Sequence, residues 1–109
     1  MREVKSLEDL ATVMDALGHP IRLRIIALLK LNGPLYLADI AKRLGISRAL
    51  AKVHLNKLQR AGLVTSRVEL IPGEARALRY YQLVDFKLSV DPDYIVSLVG
   101  GGDGQRQVE

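Results

Sequence analysis

Residues 37–64 read LADIAKRLGISRALAKVHLNKLQRAGLV, two apolar helical stripes separated by a turn of two residues, and no other feature of the chain restricts its fold as much. Leu37, Ile40, Ala41 and Leu44 recur at the i, i+3, i+4, i+7 spacing that gives a helix one apolar face. Gly45 supplies the permissive backbone that ends this helix, Ile46 completes the turn, and Ser47 is a suitable N-cap for the next. In the second helix Ala51, Leu55 and Leu58 form the stripe to be buried, as far as Gly62. Arg48, Lys52 and Asn56 fall four residues apart on another face, which is polar and basic. So short a turn sets the two helices at a steep angle and leaves the second projecting, the geometry with which a helix enters the major groove of duplex DNA.

After Gly62 the period changes to two. Val64, Ser66, Val68 and Leu70 alternate with Thr65, Arg67 and Glu69, as in a half-buried strand, and Ile71, Pro72, Gly73, Glu74 and Ala75 make a turn. A returning strand over 76–83 carries Arg76 and Arg79 near the hairpin tip and Tyr80, Tyr81 and Leu83 toward its base, where aromatic and apolar packing is expected. Helix, turn, helix, hairpin is a winged helix-turn-helix, mainly α with a small β-hairpin. Ahead of it, His19 takes the cap position of a helix over 20–31 that opens with Pro20 at N1, has Ile21, Ile25, Leu28 and Leu29 as its core stripe, and stops at Gly33 and Pro34. His54 is expected to be a partly buried helix residue that hydrogen-bonds locally.

Both ends add helical extensions. Ser6 with Asp9 makes a capping-box-like start, followed by Leu7, Leu10, Met14 and Leu17 at helical spacing, a stripe that serves either a dimer seam or the core. Val84, Phe86, Leu88 and Val90 alternate with Asp85, Lys87, Ser89 and Asp91, which continues the second wing strand or adds another extended segment. A short helix over 92–99 presents Tyr94, Ile95, Leu98 and Val99, and the Gly-rich polar stretch 100–109 is expected to be disordered. Residues 1–99 thus form one domain, with a dimerisation helix over 1–17, a winged-helix core over 18–83 and a C-terminal strand and helix over 84–99.

Charge is distributed unevenly. The chain has a net charge of +4, yet residues 18–60 hold nine Lys and Arg against Asp39 alone, while both flanks carry more acid than base. A phosphate-facing surface on one part of the molecule accounts for this, although Arg22 and Arg24 can instead cover their own helix. No cysteine is present, which excludes disulfides, thiolate metal sites and cysteine redox switches. Two histidines and Asp39 make no convergent ligand set, so neither metal nor cofactor is expected. No apolar run approaches the roughly 18 residues of a membrane span and no signal-peptide pattern opens the chain, so the expected location is cytoplasmic. Phosphate loops, HExxH motifs and nucleophile–base pairs are all missing, which argues against an enzyme.

The run Gly18-His19-Pro20-Ile21-Arg22-Leu23-Arg24-Ile25-Ile26, the pattern from Ser47 through His54-Leu55 to Ala61-Gly62-Leu63-Val64, and the ending Tyr80-Tyr81-Gln82-Leu83 carry a family likeness. With them, residues 17–83 resemble the ArsR-like winged-helix transcription regulators of bacteria and archaea, in an archaeal-type form without the metal-binding cysteines. The resemblance implies a recognition helix over 47–61 whose Ser47, Arg48, Ala49, Lys52, Val53 and Asn56 face DNA, with Arg67, Arg76 and Arg79 on the wing meeting the backbone or minor groove. It departs from the family at Ala49, Leu50 and Val53, where small polar or basic side chains are usual. Arg48 and Lys52 suit guanine, Asn56 suits adenine or a backbone oxygen, and Ala49 and Val53 suit thymine methyls, with DNA shape and phosphate contacts carrying a large share of affinity.

Apolar stripes at both ends fit a two-fold homodimer with Leu7, Leu10, Met14, Leu17, Tyr94, Ile95 and Leu98 at its interface, reading an inverted-repeat operator in double-stranded DNA. The alternative is a winged-helix module that binds protein or RNA, which the apolar Ala49, Leu50 and Val53 favour. Operator sequence, sign of regulation and any small-molecule effector are not encoded in a readable way.

Overall fold

A computed structural model describes residues 1–75 and 77–100. The Gly-rich tail from 101 onward and Arg76, expected near the wing tip, lie outside the described residues. Five helices and three short strands follow in the order α1 (Leu7–Leu17), α2 (Pro20–Asn32), β1 (Leu35–Tyr36), α3 (Leu37–Leu44), α4 (Arg48–Arg60), β2 (Val64–Leu70), β3 (Ala77–Leu83) and α5 (Pro92–Gly100). No helix among the described residues is long and apolar enough to cross a membrane.

Every helix but α3 begins where a side chain takes up an orphan backbone donor. Ser6 Oγ accepts from Asp9 N–H at 3.0 Å to open α1. His19 Nδ1 accepts from Ile21 N–H at 3.0 Å to open α2, with Pro20 in its first turn. Ser47 Oγ accepts from Leu50 N–H at 3.0 Å to open α4. The helix pair α3 and α4 ends twice in the same way. Ile46 N–H reaches Ala41 O and Gly45 N–H reaches Lys42 O at the end of α3, and Leu63 N–H reaches Leu58 O and Gly62 N–H reaches Gln59 O at the end of α4. Both are Schellman turns whose glycines sit at φ 69° and 78°, in the left-handed region that a side chain disfavours.

The core lies among α1, α2, α3, α4 and the base of the sheet. Ile25, Leu29, Ile40, Leu55, Leu58, Leu63, Val64 and Tyr81 are buried there together with Val13 and Ala16 of α1. Leu10 is also buried within the single chain, 3% exposed, which withdraws it from the dimer interface expected of it. Leu17 packs partly buried against the same core, whereas Leu7 and Met14 stay exposed. A period of about 3.6 carries four apolar residues around a wide arc, and only part of that arc meets α2 and α4.

The sheet is antiparallel with order β1-β3-β2, and β1 pairs Leu35 with Tyr81 and Tyr36 with Tyr80. This third strand was not expected from two residues between Pro34 and a helix. Because β1 covers only the base of the hairpin, the outer half of the wing runs off the core: Val68 is exposed and Leu70 is 84% exposed, against the half-buried strand the alternation suggested. The segment after β3 forms no further strand of the sheet. Phe86 makes one parallel bridge to Arg2, and with Leu88 packs on the core, held also by Arg2 N–H to Asp85 O at 2.8 Å. The Arg2 guanidinium donates to Ala61 O at 2.8 Å, so the extended N-terminus straps the end of α4 to the return from the wing.

Candidate nucleic-acid interface

α4 buries Ala51, His54, Leu55 and Leu58 and leaves Arg48, Ala49, Lys52, Val53, Asn56, Gln59 and Arg60 exposed. Arg48, Lys52, Asn56 and Arg60 follow one another at four-residue intervals, so the basic face seen in the sequence continues one step beyond Asn56. Val53 is 60% exposed and Leu50 is partly so, apolar groups amid the charged ones.

The wing stands beside this helix and makes a cleft of about 370 Å³ lined by Lys52, Asn56, Gln59, Arg60 and Arg79. Arg79 Nη1 donates to Ser66 Oγ at 3.4 Å, and Ser66 Oγ donates to Gln59 Oε1 at 3.1 Å, a chain that ties the wing to α4 and aims Arg79 into the cleft. At the start of α4, Arg48 lines a second recess of about 180 Å³ with Tyr36, Leu37, Ala38, Ala77, Leu78 and Arg79. Arg79 therefore lies between Arg48 and the Lys52–Asn56 stretch. Ser47 keeps its hydroxyl oxygen on the helix cap, with the hydroxyl proton available to an outside acceptor.

The two wing arginines described do not act together. Arg79 has the strand parity of Tyr81 and so shares the sheet face that turns toward α4, whereas Arg67 pairs opposite Tyr80 on the other face. There its guanidinium lies 4.6 Å from the Tyr80 ring centroid and its Nε donates to Glu69 Oε2 at 3.1 Å. Tyr36 completes this group, stacking edge-on with Tyr80 at 4.9 Å and donating to Glu69 Oε1 at 2.9 Å. The Glu69 carboxylate pushes the Tyr36 hydroxyl above its ordinary pKa, because it accepts a bond from the neutral phenol and opposes the phenolate. Gln59, Arg60 and Ser66 were missed in the sequence. Four-residue spacing would have found Arg60, while nothing local marks Ser66.

His54 is 7% exposed, on the side of α4 turned away from the cleft. Its Nδ1 lies 3.1 Å from Arg22 Nη1 and its ring 4.5 Å from that of His19, so the contact runs to α2 and is not the local one expected. Burial pushes its pKa down from 6.5, with His19 and Arg22 adding to the effect. Arg22 donates through Nε to Ala16 O at 2.6 Å and through Nη2 to Asp15 O at 3.3 Å, which makes it a brace of the helix junction and takes it out of the basic surface. Asp15 in turn meets Lys57 at 2.6 Å, and that cation holds its carboxyl below the usual range.

On the far side, α5 touches α1 and has no buried residue. Ile95 and Val96 are exposed, with Tyr94 and Leu98 partly so, and Leu7 and Met14 of α1 are exposed as well.

Residues 17–67 match the model of a helix-turn-helix domain family. A helix-turn-helix-type transcriptional regulator of Methanocaldococcus jannaschii is 36% identical over 92 residues, covering 84% of this chain and 94% of that protein. Among solved structures, a possible transcriptional regulatory protein of Mycobacterium bovis superposes with TM-score 0.62 at 27% identity over 84% of each chain. HlyU from Vibrio cholerae does so with TM-score 0.57 at 26% identity, over 86% of this chain and 90% of its own. An ArsR family regulator at 18% identity shares the fold with TM-score 0.59 over 93% of this chain and 87% of its own. With its projecting α4, its wing and these relatives, the chain belongs to the helix-turn-helix transcriptional regulators, in the winged form whose fold ArsR-like regulators share.

Proposed function

We propose that the protein is a sequence-specific regulator that binds an inverted repeat in duplex DNA as a homodimer. α4 lies in the major groove, where Arg48 and Lys52 read guanine or hold phosphate and Asn56 reads adenine or a backbone oxygen. Ala49 and Val53 meet thymine methyls. A phosphate strand runs through the cleft between α4 and the wing, against Lys52, Arg60 and Arg79, and the outer wing reaches the backbone or minor groove. The observation that carries this reading is the convergence of Lys52, Asn56, Arg60 and Arg79 on one open cleft beside the exposed face of α4. Arg67, engaged with Tyr80 and Glu69, takes a smaller part than Arg79.

Leu7 and Met14 with Ile95, Tyr94 and Leu98 form the dimer seam, supported by their exposure on two adjoining helices. The exposed Leu50 and Val53 favour the second reading, a protein-binding module on the same helix. Titration of the protein into promoter fragments and random duplex at about 50 and 200 mM salt decides between them. Affinity that falls steeply with salt but remains much tighter on one fragment supports the first reading. Equal affinity for every duplex removes sequence specificity, and no binding transfers the helix to the second reading.

A further inference from the structure

The chain has two histidines, and they meet behind the recognition helix. Each uses Nδ1 as an acceptor, His19 from Ile21 N–H and His54 from the Arg22 guanidinium. A guanidinium has donors only, so the lone pair belongs to His54, whose ring is neutral with its proton on Nε2. A doubly protonated imidazole has no lone pair to offer. The geometry points to a proton-responsive joint: protonation of His54 severs the Arg22 link between α1 and the recognition helix and thereby weakens DNA binding under mild acid.

Arg22 makes this a joint between elements rather than a local contact. One guanidinium holds the last carbonyls of α1, at Ala16 and Asp15, and the middle of α4, at His54. Of the groups facing His54, His19 and Arg22 of α2 oppose a proton on it. Asp15 of α1 is already held by Lys57 of α4. Burial and these neighbours lower the His54 pKa below 6.5. An unfolded or disengaged His54 takes up a proton near that value while the packed one resists, so stability is retained above it and falls as pH drops below it. The inference rests on the reading of α4 as the DNA-contacting helix and of α1 as part of the dimer seam, because the distance between two recognition helices then passes through Arg22.

The test is affinity for the tightest-binding promoter fragment at pH 7.0 and 5.5, with circular dichroism at both. Loss of one charge-assisted hydrogen bond corresponds to about a tenfold weakening in the wild type at pH 5.5 with its helical signal kept. His54→Gln keeps an acceptor for Arg22 without a titrating ring, and this variant binds alike at both values. Unchanged wild-type affinity, or an equal loss in the variant, overturns the joint. Should the variant not fold, NMR of the wild type decides: the Asp15 and Ala16 amides shift with the His54 midpoint, and their indifference to that titration overturns the joint equally. Absence of DNA binding by folded protein at pH 7.0 defeats the DNA reading instead, and the NMR titration then judges the joint alone.

Discussion

Arg48 and Lys52 are exposed on α4 and make none of the side-chain bonds that tie Arg22 and Arg67 into the fold. Replacing both with alanine is expected to weaken DNA binding by more than about tenfold, since in the proposed complex each makes a base or phosphate contact. The melting temperature should hardly move, because exposed substitutions cost within about 0.5 kcal/mol; joint loss of folding and binding would show that the buried face has been misassigned. Tyr81 gives the opposite case. Its side chain is fully buried and its hydroxyl has no hydrogen-bond partner among the described residues, and burial raises its pKa. A buried unpaired hydroxyl costs about 1–3 kcal/mol, so Tyr81→Phe should hold or raise stability in denaturant titration, and a loss above about 1 kcal/mol would contradict the orphaned hydroxyl. Helical periodicity made Arg48, Lys52 and Asn56 legible in the sequence. The difference between Arg79 and Arg67 was not legible, because it depends on the register that sets Arg67 opposite Tyr80, and the partners of Arg67 were hidden too, since Glu69 and Tyr36 lie 33 residues apart and meet only through β1.

Among the elements, the caps at Ser6, His19 and Ser47 follow from local chemistry, and so do the glycine stops of α3 and α4. What local chemistry does not encode is the N-terminal strap. Arg2 reaches Ala61 and Asp85 over gaps of 59 and 83 residues, and no spacing rule connects them. The two Schellman glycines permit a controlled comparison. Gly45 has open space where a Cβ would stand, so Gly45→Ala should cost only the left-handed strain, about 1–2 kcal/mol. At Gly62 the added Cβ would lie 3.0 Å from Arg2 Nε, so Gly62→Ala incurs the same strain and also displaces the strap. The Gly62 variant should therefore unfold at a lower denaturant concentration than the Gly45 variant, with similar slopes. Equal midpoints would mean that Arg2 contributes nothing to holding α4. Of the two alternatives the alternation at 84–90 left open, the extended segment holds: Phe86 and Leu88 pack on the core without a strand ladder, which needs a partner along its whole length.

For the whole molecule, the apolar residues divide between a core that one chain fills and a surface it leaves open. Leu10, Val13 and Ala16 of α1 belong to the first, whereas Leu7 and Met14, with Ile95 and Val96 of α5, belong to the second. A contiguous exposed apolar patch marks an interaction surface, and the proposed dimer places its seam on these two touching helices. A glutamate at Met14 or Ile95 should accordingly give a folded monomer by sedimentation, with its helical signal intact, while Leu10→Glu should unfold the chain, because it buries an unpaired charge. DNA binding then reports the assembly independently of its fold. A dimer neutralises phosphates at two half-sites, so the monomer variant should lose roughly half of the dependence of log affinity on log salt and most of its preference for an inverted repeat over a single half-site. A Met14→Glu protein that remains dimeric would place the seam elsewhere, and one that becomes monomeric yet keeps the full salt slope would show that a single winged module, with Lys52, Arg60 and Arg79 around its cleft, supplies all the phosphate contacts.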